Sequence, residues 1–451
     1  MVSYKIMSVA NKLKNIRDKY GLSQEDLAGN EITRNLISQI EHNKANLTRS
    51  SAEIMLKNLM KICNKKKIKV DENIDYLLED ESSQAKKILN KYISDLKDLS
   101  VYKDPTFINK LKEIEAFLVT WDFKEKKISI FELAGDYFSG INDFYNASLY
   151  YEKAKALIDV NIYTDNFIHI LRKLSMTYYY MRKYQDDIDC CEFALKQFKD
   201  MDDDYKCIFL FNSSLCYGQL EKYDVALNRL NKVEGIIKNI DQNKYYEVLI
   251  QKAICYQWMK EYQKSLDVYN KLLTLIDKTD YEKYLFILVN SADIYVENLD
   301  FETVKIILNT IFENINNLSE NSTLLPSTYL EISKVLKKLG YTKDAEVYGL
   351  KSLNIAKRNT SYYLVNDIYE ELLDIYTMLK APNKVETIKK EFFITTTKDN
   401  NLNSKLMFKL LDFYFDIKDL KSLKEIYDFS KDFIQTRTSV TSKYFWRNFA
   451  K

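Results

Sequence analysis

The stretch SLCYGQLEKYDVA, residues 214–226, recurs further along the chain as AICYQWMKEYQKS, residues 253–265. Each copy starts with a small residue, reaches a lead tyrosine after three positions and a second tyrosine after six more, and ends on another small residue. The lead tyrosines are equally spaced and define a 39-residue period: Tyr178, Tyr217, Tyr256 and Tyr295. A period of this length over several units is typical of a helical solenoid.

The spacing indicates that each repeat is a pair of antiparallel helices. Such a pair cannot bury its apolar face alone, so it stacks on the next pair. Small residues such as Ser175, Ala226 and Ala253 allow helices to approach closely, while the large aromatic residues between them fill the remaining space. This order resembles the tetratricopeptide repeat, which is usually about 34 residues long. We predict eight repeats over about residues 128–440 and a degenerate first one over residues 82–122.

The composition supports an all-α chain. Eight Gly and three Pro in 451 residues are too few for a fold rich in strands and turns. The apolar runs are too short for a membrane span, and residues 1–20 lack the apolar core of a secretion signal. Six cysteines show no metal-ligand spacing. We therefore expect a cytoplasmic protein with reduced thiols and without a metal, a cofactor or a membrane segment.

The N-terminal segment, residues 1–70, is predicted to contain a small separate domain. Gly21 is a helix stop, Ser23 caps a short helix from Gln24 to about Ala28, and Thr33 caps the next helix. Two short helices joined by a tight turn form a helix-turn-helix, whose second helix enters the major groove of DNA. Residues 1–70 hold 14 Lys and Arg against six Asp and Glu, a balance of +8, whereas the rest carries 53 against 59, or −6. A basic head suits a polyanionic partner.

This head resembles the phage-repressor-like (XRE) helix-turn-helix family. The residues that carry the resemblance are Arg17, Gly21, Leu22, Ser23, Gln24, Leu27, Ala28, Ile32, Ile37, Ser38, Ile40 and Glu41. The resemblance implies that Gln24 contacts a phosphate and that Arg17 and Glu41 form an ion pair between helices. It places base reading on Arg34, Asn35 and Gln39, side chains that can each make paired hydrogen bonds to guanine or adenine. The predicted DNA-binding residues are Gln24, Thr33, Arg34, Asn35, Ser38, Gln39 and Lys44.

A second set of positions follows the 39-residue period in the body. Five residues before each lead tyrosine stand Lys173, Asn212, Gln251 and Asn290, which point away from the tyrosine face towards the concave side of a solenoid. Carboxamides along an apolar groove can pair with the main chain of an extended peptide. Alternatively, a tightly coiled superhelix would pack these residues against neighbouring turns. The predicted peptide-binding residues are Lys173, Tyr180, Asn212, Gln251, Trp258 and Asn290, with Asn212 as the first candidate.

The combined architecture resembles the RRNPP group of peptide-responsive transcription regulators, relatives of Rgg, NprR and PlcR. The resemblance implies a cytoplasmic homodimer that binds double-stranded DNA and a short signalling peptide in quorum sensing. We predict an XRE-type domain over residues 1–64, a linker and connecting helix over residues 65–100, and a right-handed TPR-like α-solenoid over residues 101–451. The alternative is that the body is a scaffold for a protein partner. We expect no enzymatic activity, because no nucleophile, phosphate loop or metal cluster is visible.

Overall fold

The computed structural model describes residues 6–159, 165–238, 240–358 and 364–449. Within these ranges all regular structure is helical and no strand is present, so the prediction of an all-α chain with a helical-repeat body is confirmed. None of the helices in these ranges has both the length and the apolar character that a membrane span needs. The outermost residues of the predicted domains, 1–5 and 450–451, lie outside the described residues.

The chain divides into two compact units, one up to Tyr137 and one from Phe138 onward. Helix α8, Lys124–Gly140, contains this boundary. The helices before it are α1 (Val9–Lys19), α2 (Gln24–Ala28), α3 (Arg34–Glu41), α4 (Arg49–Lys65), α5 (Ile74–Leu78), α6 (Glu81–Val101) and α7 (Thr106–Thr120). Helices α6 and α7 pack on each other in the region of the predicted degenerate repeat.

The caps in the head lie where the sequence predicts them. Ser23 accepts a hydrogen bond from the backbone N–H of Asp26, and the Asp26 carboxylate accepts one from the backbone N–H of Ser23, which closes a capping box at the start of α2. The Thr33 hydroxyl accepts from the backbone N–H of Leu36 and starts α3. Gly21 follows α1 with a φ of 61°, a left-handed conformation that glycine adopts at little cost.

Helix α5 belongs to the core of the head. Leu77 is buried in the same apolar cluster as residues of α1 to α4, such as Ile37 and Leu59. The buried ammonium of Lys12 donates to the carbonyl oxygens of Tyr76 and Glu79, both at 2.8 Å. These bonds satisfy carbonyl groups at the end of α5 that have no partner within the helix. Residues 74–78, predicted as part of the linker region, are thus fastened to α1.

In the described part of the chain, the helices from α8 onward follow one another as eight consecutive pairs. After α8 come α9 (Phe144–Ala156), α10 (Asp165–Tyr180), α11 (Tyr184–Gln197), α12 (Asp203–Gln219), α13 (Tyr223–Ile237), α14 (Gln242–Trp258), α15 (Tyr262–Leu275), α16 (Tyr281–Glu297), α17 (Phe301–Asn314), a 3₁₀ turn (Ile315–Asn317), α18 (Leu325–Lys338), α19 (Thr342–Arg358), α20 (Val365–Met378), α21 (Pro382–Asp399), α22 (Ser404–Asp416) and α23 (Leu420–Phe449). From α10 onward, the even-numbered helix of each pair packs on the odd-numbered helix that follows it and, along most of the series, on the next even-numbered helix.

The 39-residue period fixes the turn inside each pair. The second aromatic residue of the repeat is the first residue of α11, α13, α15 and α17. Two residues before it the backbone is left-handed, with φ of 56° at Arg182, 60° at Glu221, 60° at Lys260 and 60° at Leu299. A left-handed residue after a helix is usually glycine, because a side chain is strained there. These four turns carry that strain.

Replacing Leu299 with glycine is expected to stabilise the protein. The substitution removes the strain of a left-handed leucine, and the side chain is 73% exposed, so little burial is lost. The free energy of unfolding should rise by about 0.5–1 kcal/mol, measured by urea denaturation. Leu350→Gly is the matched control: it lies inside α19 and should lower the same quantity by about 1 kcal/mol. A less stable Leu299→Gly variant would contradict this account of the turn.

Candidate functional site

The outer side of α3 carries the predicted base-reading residues. Ile37 and Ile40 are buried in the head, which leaves the opposite side of the helix towards solvent. On that side Arg34, Asn35 and Gln39 are accessible. Thr33 is exposed at the N-cap, Ser38 is half-buried and Lys44 is exposed beyond the helix. The arrangement leaves the first turn of α3 accessible to a large partner.

A network of polar side chains holds α1, α2 and α3 together. The predicted ion pair between Arg17 and Glu41 is confirmed, with 3.0 Å between Arg17 Nε and Glu41 Oε1. The second oxygen of Glu41 accepts a hydrogen bond of 2.8 Å from the side-chain amide of Gln24. Gln24, which is predicted to contact phosphate, is half-buried. Through its bond to Glu41 it also links the two helices of the turn.

Arg34 has an acidic neighbour on α2. Its guanidinium lies 3.2 Å from the carboxylate of Glu25, and both side chains are mostly exposed. An exposed ion pair of this kind contributes about 0.2–1 kcal/mol. Arg34 can therefore leave Glu25 for another acceptor at small cost.

The second unit contains a partly open cavity of about 570 Å³ on the inner side of the helix pairs. This volume lies within the usual range of ligand sites, roughly 300–1,000 Å³. The first helices of successive pairs supply most of its wall, from α10 to α20. The lining residues are Tyr179, Tyr180, Arg182, Tyr184, Gln219, Gln251, Ile254, Gln257, Trp258, Lys260, Tyr262, Phe286, Asn290, Asp293, Glu297, Ser327, Leu330, Glu331, Lys334, Lys338, Leu364 and Asp367.

Side-chain amides in the wall have unused hydrogen-bonding capacity. Among the described residues, the side chains of Gln219 and Gln251 make no hydrogen bond. The amide nitrogen of Asn290 donates to the carbonyl oxygen of Phe286 at 2.7 Å, and its own carbonyl oxygen accepts no bond from a described residue. Asn290 is only 7% exposed and lines the cavity, where its oxygen could accept a hydrogen bond from a ligand.

Charged groups in the wall are balanced and largely paired. Lys338 lies 2.6 Å from both Asp293 and Glu297, and Lys334 lies 2.7 Å from Glu331. Gln257 donates to the second oxygen of Asp293 at 2.8 Å. The lining contains four cationic and four anionic side chains: Arg182, Lys260, Lys334 and Lys338, and Asp293, Glu297, Glu331 and Asp367. The wall therefore suits a ligand of low net charge better than a polyanion.

The structure brings four of the six predicted peptide-binding residues to this cavity: Tyr180, Gln251, Trp258 and Asn290. Lys173 and Asn212 are not among the lining residues. The amide of Asn212 donates to the hydroxyl of Ser175 at 2.9 Å, and the ammonium of Lys173 lies 5.9 Å from the centroid of the Tyr151 ring.

Sequence reasoning missed the part of the wall that α18 and α20 supply. Ser333 follows Ala292 at a longer interval than Ala292 follows Ala253, so the 39-residue frame does not carry over to α18. Glu331 stands two residues before Ser333, as Asn290 stands two residues before Ala292. Counting from the small residue of each repeat would have identified Glu331, and Lys334 lies one residue beyond Ser333 on the same helix.

A buried carboxyl group occupies a small-residue position next to this site. Asp187 is fully buried where the other repeats have Ala226, Ser265 and Val304. The Ser175 hydroxyl donates to it at 2.6 Å, and the thiols of Cys191 and Cys216 donate at 3.1 and 2.9 Å. Burial raises the pKa of Asp187, although the three donors favour its ionised form. Among the described residues no group of three His, Cys, Asp or Glu could hold a metal ion.

Asp187→Asn is expected to stabilise the protein at pH 7. Because the pKa of Asp187 is raised by folding, its contribution to stability is full below the ordinary carboxyl pKa of about 3.9 and is lost as the pH rises towards the folded value. Asparagine cannot ionise, so the free energy of unfolding at pH 7 should rise, and its decrease as the pH rises above the ordinary carboxyl pKa should weaken. Thermal unfolding at several pH values measures both effects.

Asp186→Asn is the control for this experiment, because Asp186 is the adjacent exposed carboxylate. It should leave the free energy of unfolding at pH 7 nearly unchanged. If Asp187→Asn instead destabilises the protein at pH 7, the three donors outweigh the burial of the charge.

No protein-family model matches the chain, and no curated protein matches its sequence. Several solved structures are similar in shape. The apo form of RapI is 13% identical, with a TM-score of 0.48 over 61% of this chain and 99% of that chain. NprR in complex with its cognate peptide NprX is 15% identical, with a TM-score of 0.46 over 77% and 99%. Bacillus thuringiensis PlcR in complex with the peptide PapR7 and DNA is 16% identical, with a TM-score of 0.30 over 59% and 93%. At these scores the likeness carries no argument about function, which has to come from the residues of the chain itself.

Proposed function

We propose that this protein is a cytoplasmic transcription regulator that binds DNA through α2 and α3 and a short linear peptide in the cavity of the second unit. The observation that carries the proposal is the cavity wall, in which amides with free hydrogen-bonding groups alternate with apolar side chains. The regulator would act as a homodimer, because helix-turn-helix proteins read paired half-sites.

The DNA-binding half of the proposal rests on the surface of α3. Arg34, Asn35 and Gln39 are accessible together on a helix whose other side is buried, and each can bind a base edge through two hydrogen bonds. Thr33, Ser38 and Lys44 would contact the backbone nearby, and Gln24 would contact a phosphate while it holds Glu41. The +8 balance of residues 1–70 would supply the non-specific attraction to phosphate.

The peptide-binding half rests on the chemistry of the wall. The amides of Gln219, Gln251 and Asn290 can both donate to and accept from a peptide main chain. Ile254, Trp258 and Phe286, on the same inner helices, would receive apolar side chains of the ligand. The balanced ion pairs add no strong preference for either sign of charge. Extended peptides are recognised in this way, with main-chain bonds giving affinity and pockets giving specificity.

A protein partner is the second candidate. The terminal helix pair exposes large apolar side chains, with Phe408 at 59%, Phe415 at 73% and Leu420 at 77% exposure. Exposed apolar residues of this size can mark a protein interface. If this second candidate is right, the surface of α22 and α23 binds another protein or a second copy of the chain. The protein then needs no ligand in the cavity for its function.

Calorimetry with short peptides encoded beside the gene tests the proposal. We expect at least one of them to bind the full-length protein with a stoichiometry of one per chain. Failure of all such peptides, together with a protein that co-purifies with the chain and depends on Phe415 for binding, would favour the scaffold.

A further inference from the structure

The second unit contains a contact between parts of the chain that are far apart in sequence. Arg182, in the turn between α10 and α11, lies 2.8 Å from the Asp367 carboxylate and 3.9 Å from that of Glu370, both on α20. Beside it, the amide of Asn401 donates to the carbonyl oxygen of Met181 at 2.7 Å, across 220 residues. We refer to these five residues as the clasp.

The clasp joins the two edges of the cavity wall. The wall begins with Tyr179 and Tyr180 on α10, continues over α12, α14, α16 and α18, and reaches Asp367 on α20. Arg182 and Asp367 line the cavity themselves. Because these two residues contact each other, α20 meets the turn that follows α10, and a closed circuit of contacts runs through the inner helices around the cavity.

The clasp can open without leaving a buried charge alone. Glu370 is nearly buried, but it also lies 2.8 Å from the Lys405 ammonium and accepts a bond of 3.0 Å from the Asn403 amide. Asp367 is partly exposed, so water can replace Arg182 there. An ion pair between partly exposed groups is also weakened by salt. The closed circuit therefore depends on a small number of contacts that the protein can break and remake.

We propose that the clasp makes the cavity selective for a peptide with a free terminus, which can enter along the axis of the superhelix. A cyclic peptide or an internal loop enters only after the clasp opens. A cyclic peptide or an internal loop would have to enter with its two arms side by side, ~5 Å apart. This inference rests on the proposed peptide-binding function, and it adds that the clasp excludes a cyclic peptide or an internal loop of a folded protein.

The first test compares two forms of one ligand on the full-length protein. A linear heptapeptide is selected from a random library and built into a ring of roughly 20 residues with a flexible Gly/Ser linker. The probes are this ring and the same ring cut once in the linker. We expect the cut form to bind the wild type at least about tenfold more tightly than the intact ring, and Arg182→Gln to remove most of that difference. Equal binding of both forms to the wild type would overturn the requirement for a free end.

The second test needs no ligand. Arg182→Gln should increase the radius of gyration in X-ray scattering and speed hydrogen exchange of the amides near residues 181–184. Lys260→Gln is the matched control, because Lys260 occupies the same turn position, lines the same cavity and makes no ion pair with a described residue. It should leave both quantities unchanged. If Arg182→Gln behaves like this control, the clasp does not hold the circuit closed. If no heptapeptide binds at all, the proposed function fails. The scattering result then still shows whether the clasp holds the inner helices together.

Discussion

Removing the amides of Gln251 and Asn290 together is expected to weaken peptide binding by about a hundredfold. Each side chain faces the cavity with unused hydrogen-bonding groups, and a hydrogen bond from either to a peptide main chain contributes about 1–1.5 kcal/mol. Each loss therefore corresponds to about tenfold in the dissociation constant. Calorimetry of the Gln251→Ala, Asn290→Ala and double variants with one binding peptide measures the effect.

Asn212→Ala is the control in this series. Asn212 stands at the same repeat position, but its amide donates to Ser175 and it does not line the cavity. Its effect on binding should be much smaller than that of either cavity variant. Thermal unfolding of all variants separates loss of binding from loss of fold. Equal weakening by Asn212→Ala and Asn290→Ala would place the ligand outside this cavity.

Replacing Arg34 with alanine is expected to remove sequence preference from DNA binding. Arg34 begins α3, is exposed, and gives up only a surface ion pair with Glu25 to reach a base. A bidentate contact to guanine provides about 1–3 kcal/mol of discrimination, so preference at one base pair should fall by about 10- to 100-fold. Selection of duplexes from a random library, carried out with the wild type and the variant, measures preference at every position.

Arg49→Ala is the control for Arg34→Ala, because it removes one positive charge from the same domain. Arg49 starts α4, is similarly exposed and pairs with Glu53 within its own helix. It should weaken binding to all sequences alike and leave the selected site unchanged. If Arg34→Ala still selects the same site at full strength, α3 is not the reading helix.

The features that follow from local sequence could be predicted well. The 39-residue period marks the starts of α11, α13, α15 and α17, because an aromatic residue at a fixed distance closes each pair. The capping box at Ser23 and Asp26 follows from a short-range pattern in the head. In these cases the sequence spacing alone determines which groups meet, whereas the ion pair between Arg17 and Glu41 was expected from the resemblance to the XRE family.

The features that depend on superhelical pitch could not be predicted. Pitch is the sum of small rotations from one pair to the next, so no local pattern shows that Arg182 reaches Asp367. For the same reason Asn212 and Asn290 occupy one position of the repeat but have different surroundings. The hydrogen-bond partners of Asp187 could not be predicted either, because Cys216, one of the donors, belongs to the following helix pair.

The most direct test of the central claim, that a peptide binds in the cavity, is to locate the bound peptide by photo-crosslinking. A peptide that binds the full-length protein is made with a benzophenone side chain, irradiated in the complex, and mapped by mass spectrometry. We expect the crosslinks to fall on the inner helices, at residues such as Ile254, Trp258, Phe286 and Leu330. Crosslinks confined to the outer helices α13, α15 and α17, or to the terminal pair α22 and α23, would contradict the account.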